Sequence, residues 1–282
     1  MITDSKRSET SSPLTHHSSL ITHHSKLIGL TRAVSPSINA CELTYHEQQP
    51  IDVARAAAQH HAYEDALRRL GVEVVRLPAE PDLPDAVFVE DTAIVVDEVA
   101  IIPVMGATSR RPETVSVAAT LEAYRPLRHL EAPATLDGGD VLRVGHRLFV
   151  GLTRRTNQAA IAQLASHLAE FGYQVEAVEV TGCLHLKSAC TSVGDNALLI
   201  NREWVDASRF AGFELVDVPA TEPGAANALL IGETVILPSA FPQTMALLER
   251  RGVKVQPVDV SEFQKAEGGV TCKSIIFNVP ST

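Results

Sequence analysis

From Glu90 onward the chain repeats one pattern: two short apolar strands joined by a tight turn, a helix, and a third strand. Such a repeat constrains the fold strongly, because one unit of this size cannot bury its apolar faces alone. AIVV and VAIIPV begin the first copy, followed by a helix over 112–124 and the strand LRHLE. DVLRV and RLFVG begin the second, joined through Gly145-His146. Its helix over 155–170 carries Ile161, Leu164, Ala165 and Leu168 on one face, and Gly172 and the strand YQVEAVEV follow. HLKSACTSV and ALLIN flank Gly194-Asp195 in the third, with a short helix over 203–208 and then FELVDVP. ANALLI and TVILP meet at Gly232-Glu233 in the fourth, ahead of a helix over 242–251 and the strand VKVQPVDV. The fifth starts with VTCKSIIFNV at the C-terminal end. Its other parts lie near the N-terminal end: a strand over 30–34, a helix over 51–70 and the strand VEVVRLP.

A unit shared by both chain ends fastens the last strand to the first. The pattern therefore predicts an α/β fold, a five-fold pseudosymmetric propeller of ββαβ units around a central site. The alternative is an ordinary mixed α/β sandwich without rotational symmetry. Residues 1–27 are rich in Ser, Thr and His and cannot bury a core, so a disordered N-terminal extension is expected before one domain over 28–282. That stretch lacks the apolar segment of a secretory signal.

Composition narrows the function classes. A formal net charge of -10 disfavours nucleic acid, whose affinity rests on phosphate neutralisation by Lys and Arg. No apolar run reaches the ~18 residues of a spanning helix, so no membrane partner is expected. Four widely spaced cysteines, Cys41, Cys183, Cys190 and Cys272, fit a reduced cytoplasmic setting better than a disulfide framework.

Four units open with a residue able to do chemistry: Glu90, Asp137, His185 and Cys272. Around a ring they would converge. Each also has a plain structural reading. A lone Cys in an apolar strand is commonly core, a lone His commonly structural, and Asp-Gly-Gly a common turn. Paired, a Cys and a His form a nucleophile and its base. Glu90 and Asp91 interrupt an apolar run, where a carboxylate is costly unless paired or facing a cation. Arg110-Arg111 and Arg154-Arg155 precede helices; solvated charge is their ordinary role, and a two-pronged grip on a carboxylate their special one.

Taken together, PDAVFVED, SRRPE, LDGGDVL, VGLTRRTN, GCLHLKS and GGVTCKS strongly resemble the dimethylarginine dimethylaminohydrolases of the guanidine-modifying pentein superfamily. The resemblance runs from about residue 30 to 279. It implies Cys272 as nucleophile, His185 as general acid/base and Asp137 as third catalytic acid. It implies Glu90 and Asp91 at the guanidinium end, Asp85 near the α-amino group, and Arg110 and Arg155 on the α-carboxylate. Leu43 would contribute a backbone contact from a loop covering the pocket, with Ala266 and Glu267 near the amino group. Lys273 stands where animal members can carry a second Cys.

The implied reaction is hydrolysis of N-omega-methylated arginines to citrulline and dimethylamine or methylamine through a thiouronium on Cys272. No cofactor or metal is expected, the partner is the small-molecule substrate, and a homodimer stays open. The rivals are an arginine deiminase-like hydrolase, a non-catalytic binder of cationic amino acids, and a zinc protein using Cys272 and His185.

Overall fold

A computed structural model describes residues 26–279 apart from residue 195. Most of the expected N-terminal extension, and the Asp195 position of the third turn, lie outside the described residues. The chain forms β1 (Lys26–Arg32), α1 (Val53–Arg69) and β2 (Glu73–Leu77), then β3 (Ile94–Val95), β4 (Ala100–Ile102), α2 (Thr114–Leu121) and β5 (Leu127–His129). Next come β6 (Val141–Val144), β7 (Arg147–Leu152), α3 (Gln158–Leu168) and β8 (Gln174–Glu179). They are followed by α4 (Leu186–Ala189), β9 (Cys190–Gly194), β10 (Ala197–Ile200) and β11 (Glu214–Asp217). Last are β12 (Leu229–Ile231), β13 (Thr234–Pro238), α5 (Pro242–Arg250), β14 (Lys254–Val258), α6 (Ser261–Gln264) and β15 (Ile275–Val279). Among the described residues β1 begins at Lys26, two residues before the expected boundary at 28.

Five three-stranded sheets result, all built alike. A first strand pairs antiparallel with a central one, which pairs parallel with a third. Parallel pairing demands a crossover, and the intervening helix or turn supplies it. The fifth sheet joins the chain ends: β15 pairs with β1, Ile28 facing Phe277, and β1 with β2. Ile94, Val141, Thr191, Leu229 and Ile275, from the five first strands, line one central cavity of about 400 Å³. β9 packs beside both β6 and β12, and β15 packs beside β3. The units therefore ring an axis as a five-fold pentein propeller, and the sandwich alternative is set aside.

The core is divided among the joints between units. Ile94 and Ile101 pack with Leu148 and Ile161, Leu142 and Phe149 with Leu198 and Phe210, and Leu199 with Val235 and Leu237. Tyr63 and Leu67 pack with Ile231 and Ile236, while Ile28, Leu30 and Phe277 pack with Ala100 and Ile102. Each cluster draws residues from two neighbouring units.

Local departures from the expected elements have simple causes. The helix over 112–124 divides into a 3-10 stretch, Thr108–Glu113, and α2, with Pro112 inside the 3-10 part. The helix over 203–208 is a 3-10 turn, Ala207–Phe210, whose Asp206 side chain accepts from Ser208 N–H. HLKSACTSV is a strand only from Cys190, because α4 occupies Leu186–Ala189.

Candidate active site

Each unit meets the axis through one tight turn. Glu90 lies within the 3-10 turn Val89–Thr92, and Asp137 and His185 immediately precede the turn Gly138–Asp140 and α4. Asn227 follows the turn Pro223–Ala226, and Cys272 sits in the turn before β15. The paired glycines let the first three units approach. A Cβ on Gly138 would lie 2.1 Å from Glu90 O; one on Gly139 would lie 2.6 Å from His185 Nδ1 and 2.7 Å from Asp91 Oδ1. No side chain fits at either position.

His185 is buried between two carboxylates. Its Nε2 lies 3.3 Å from Asp137 Oδ2 and its Nδ1 3.7 Å from Asp91 Oδ1. Burial alone would lower the imidazole pKa. Asp91, Asp140 and Asp137 outweigh it and raise it to about 9. Asp137 is itself held by Gly106 N–H at 2.9 Å, and its backbone N–H donates to Thr156 Oγ1 at 3.2 Å. Asp140 accepts from Leu186 N–H, Thr153 Oγ1 and Thr156 Oγ1, tying the segments of His185, Arg155 and Asp137 together. Burial raises the Asp140 carboxyl to about 6.

The Cys272 thiol receives Gly269 N–H at 3.4 Å. Burial, reinforced by Glu90 and Asp91, pushes it up to about 12. Without a cationic neighbour it stays a thiol at neutral pH.

One narrow pocket gathers Asp85, Asp91, Arg110, Arg155, His185, Ala266, Glu267 and Cys272. Its free volume is about 20 Å³, room for about one water. Glu90 and the Leu43 side chain are not among its lining residues. Glu90 forms a floor instead: Lys187 Nζ donates to Oε1 at 2.6 Å and Thr271 Oγ1 to Oε2 at 2.7 Å. Burial raises its pKa against the opposing pull of Lys187. Glu90 and Lys187 also line the central cavity, so the pair separates cavity from pocket. The Leu43 side chain packs on the core beside Cys41 and Phe88.

At the other end Arg110 is fully engaged by Glu113 and by Asp91 at 2.8 Å. Burial would lower its pKa, but Glu113 and Asp91 hold it raised. Arg155 is less committed: Nη1 has no hydrogen-bond partner among the described residues. Its ionic neighbours are Glu42 at 3.5 Å and Asp137 at 3.8 Å. A loop covers the pocket. Glu42 N–H donates to Asp85 Oδ2 at 3.1 Å, and Thr44, Tyr45 and His46 N–H groups all donate to Glu267 Oε1. Glu267 itself adopts φ 57°.

Sequence reasoning gave no role to Lys187, Glu42, Asn227 or Asp140. Lys187 carried a usable signal, a lone charge in the apolar run HLKSAC. Glu42 and Asn227 carried none. Asp91, Asp137 and His185 bring one ligand atom each within 4.8 Å of one another, the spacing of a cation site. Cys272 stands outside that group, and as an imidazolium His185 already balances the two acids.

A family profile described as N,N dimethylarginine dimethylhydrolase, eukaryotic, matches residues 28–277. An N(G),N(G)-dimethylarginine dimethylaminohydrolase of Streptomyces coelicolor is 38% identical over 248 residues, 87% of this chain and 95% of that one. One from Pseudomonas aeruginosa is 36% identical over 228 residues, 80% of this chain and 90% of its own. A solved structure of the Pseudomonas aeruginosa enzyme, a cysteine-to-serine mutant complexed with citrulline, superposes with a TM-score of 0.85. It is 33% identical and covers 89% of this chain and 98% of that one. The N-terminal domain of a cyanobacterial arginine dihydrolase, 18% identical with a TM-score of 0.77, shares the fold; the alignment covers 89% of this chain and 97% of that one. On the profile match and these identities, the chain belongs to the dimethylarginine dimethylaminohydrolase family.

Proposed function

We propose that the protein hydrolyses N-omega-methylated arginines to citrulline and dimethylamine or methylamine through a covalent adduct on Cys272. The observation that carries this reading is the narrow pocket in which Cys272 and His185 face Asp85, Asp91, Arg110 and Arg155. A flat cation meets carboxylates at one end, and a guanidinium with an unused donor stands ready for a carboxylate at the other.

The protonation states support an order of events. A thiol held near 12 by burial and two anions is unreactive, and a bound guanidinium supplies the missing positive charge. The thiol proton passes to solvent as the cation binds, to be regained when citrulline forms, and the resulting thiolate attacks the guanidinium carbon. His185, a cation at neutral pH, protonates the departing amine and leaves a thiouronium on Cys272. Neutral His185 then takes a proton from water, which attacks the thiouronium carbon. Collapse expels the thiolate and gives citrulline. Asp137 and Asp91 keep the ring oriented, and Glu90 with Lys187 closes the floor. No step needs a metal or organic cofactor. The pocket's small free volume means that the loop over 42–46 opens to admit substrate.

The test is a citrulline assay with asymmetric dimethylarginine, monomethylarginine and arginine in parallel, with Cys272→Ser as control. Citrulline should form from the methylated substrates, weakly from arginine, and not with folded Cys272→Ser. Faster turnover of arginine would assign the site to an arginine deiminase-like reaction. Binding of all three without citrulline would make it a binding protein.

A further inference from the structure

The fourth unit presents no acid, base or thiol at the axis, only Asn227, which is 6% exposed. Its carboxamide is fully used. Oδ1 accepts from Val270 N–H at 2.7 Å and Thr271 N–H at 3.2 Å. Nδ2 donates to Lys187 O and Thr271 Oγ1, both at 3.0 Å. Thr271 Oγ1–H in turn donates to Glu90 Oε2 at 2.7 Å. With donors on one side and oxygens on the other, the amide has a single consistent orientation. Gly269 lies against it, since a Cβ there would be 2.1 Å from Oδ1. The remaining N–H of this turn, that of Gly269, is aimed at Cys272 Sγ at 3.4 Å.

We propose that Asn227 is a positioning residue for the nucleophile: its carboxamide holds the 269–271 backbone so that Gly269 N–H points at the sulfur of Cys272. Asn227 is not among the residues lining the pocket of Cys272 and His185; it borders an adjoining cavity with Glu267, Gly268 and Gly269, and all four of its carboxamide hydrogen bonds go to protein groups. Without it two buried N–H groups lose their acceptor, and the turn must rearrange to satisfy them. Rearrangement turns the Gly269 donor away from the sulfur, and the thiolate loses a stabilising hydrogen bond. The inference rests on Cys272 being the nucleophile.

The experiment follows carbamidomethylation of Cys272 by iodoacetamide against pH in the full chain, localised by peptide mass spectrometry. Wild type, Asn227→Ala and Asn227→Asp are compared, with kcat and KM for dimethylarginine measured beside them. Asn227→Ala should move the alkylation midpoint upward. It should lower kcat by about tenfold to a hundredfold, as a misplaced reacting group does, with KM within about threefold. Asn227→Asp keeps both accepting contacts, loses both donated ones and adds a negative charge, so its midpoint should rise further. A folded variant with the wild-type midpoint and kcat overturns the inference; so does failure of both variants to fold, which would make Asn227 a structural member of the ring. Activity retained by Cys272→Ser would remove the nucleophile itself. An inactive Cys272→Ser beside an unchanged Asn227→Ala profile would remove only the positioning role.

Discussion

Lys273 shows how a residue next to the chemistry can be silent in sequence and costly in structure. It follows Cys272, yet its side chain turns into the core and is 0% exposed. Its Nζ has no hydrogen-bond partner among the described residues and sits over Tyr63 at 4.3 Å and Phe263 at 4.8 Å. Burial lowers its pKa to about 7, while the unfolded chain keeps the ordinary lysine value. Between about pH 7 and 10.5 the unfolded state therefore binds the extra proton, and stability contributed by this residue rises with pH across that window. Lys273→Met should stabilise the protein by about 1–4 kcal/mol at pH 6–7, cation–π contacts offsetting part of the burial cost. That advantage should shrink toward pH 10. Denaturant melts at both pH values measure it; an advantage that grows with pH would mean that Lys273 keeps its proton in the folded core. The residue types at Cys272, His185 and Asp137 were legible because chemistry restricts what can serve. Asn227 was not, since its importance lies in two amide contacts formed only by the fold.

At the level of elements, the strands and long helices were legible from periodicity, while the axial turns were not. A turn of three or four residues, such as Gly138–Asp140 or α4, spans about one helical turn, too short for an apolar spacing to repeat. These turns nevertheless aim the site, by placing a residue at the axis before each first strand. The covering loop is a second element whose contacts come from far in sequence. One carboxylate oxygen of Glu267 accepts three successive N–H groups, from Thr44, Tyr45 and His46, and so clasps the loop over the pocket. Charge-assisted bonds of this kind are individually strong but partly exposed here, so about 2 kcal/mol for the set is reasonable. Glu267→Ala should speed hydrogen exchange at Thr44–His46 roughly thirtyfold. KM should rise as the loop spends less time closed. Unchanged exchange at those amides would show that the loop is held by its other contacts, such as Glu42 on Asp85.

Across the whole molecule, the apolar clusters sit between units, so the ring is stable only when closed. Closure depends on β15 pairing with β1, and Phe277 is central to that joint. It faces Ile28 across the strands, meets the Tyr124 ring at 5.3 Å and lies under Arg125 at 5.6 Å. The same strand follows directly from the Cys272 turn, so loosening the joint also loosens that turn. Phe277→Ala should cost about 3–5 kcal/mol, the usual loss for a buried phenylalanine. The chain has one tryptophan, Trp204, which packs on the cluster between the second and third units, away from that joint. If the ring unfolds as one body, Trp204 fluorescence and far-ultraviolet circular dichroism should shift to lower denaturant together in Phe277→Ala, with coincident midpoints. A fluorescence transition that stays at the wild-type midpoint while circular dichroism becomes biphasic would mean that units melt separately. The pocket, whose residues come from segments far apart in the ring, would then be lost before most of the fold.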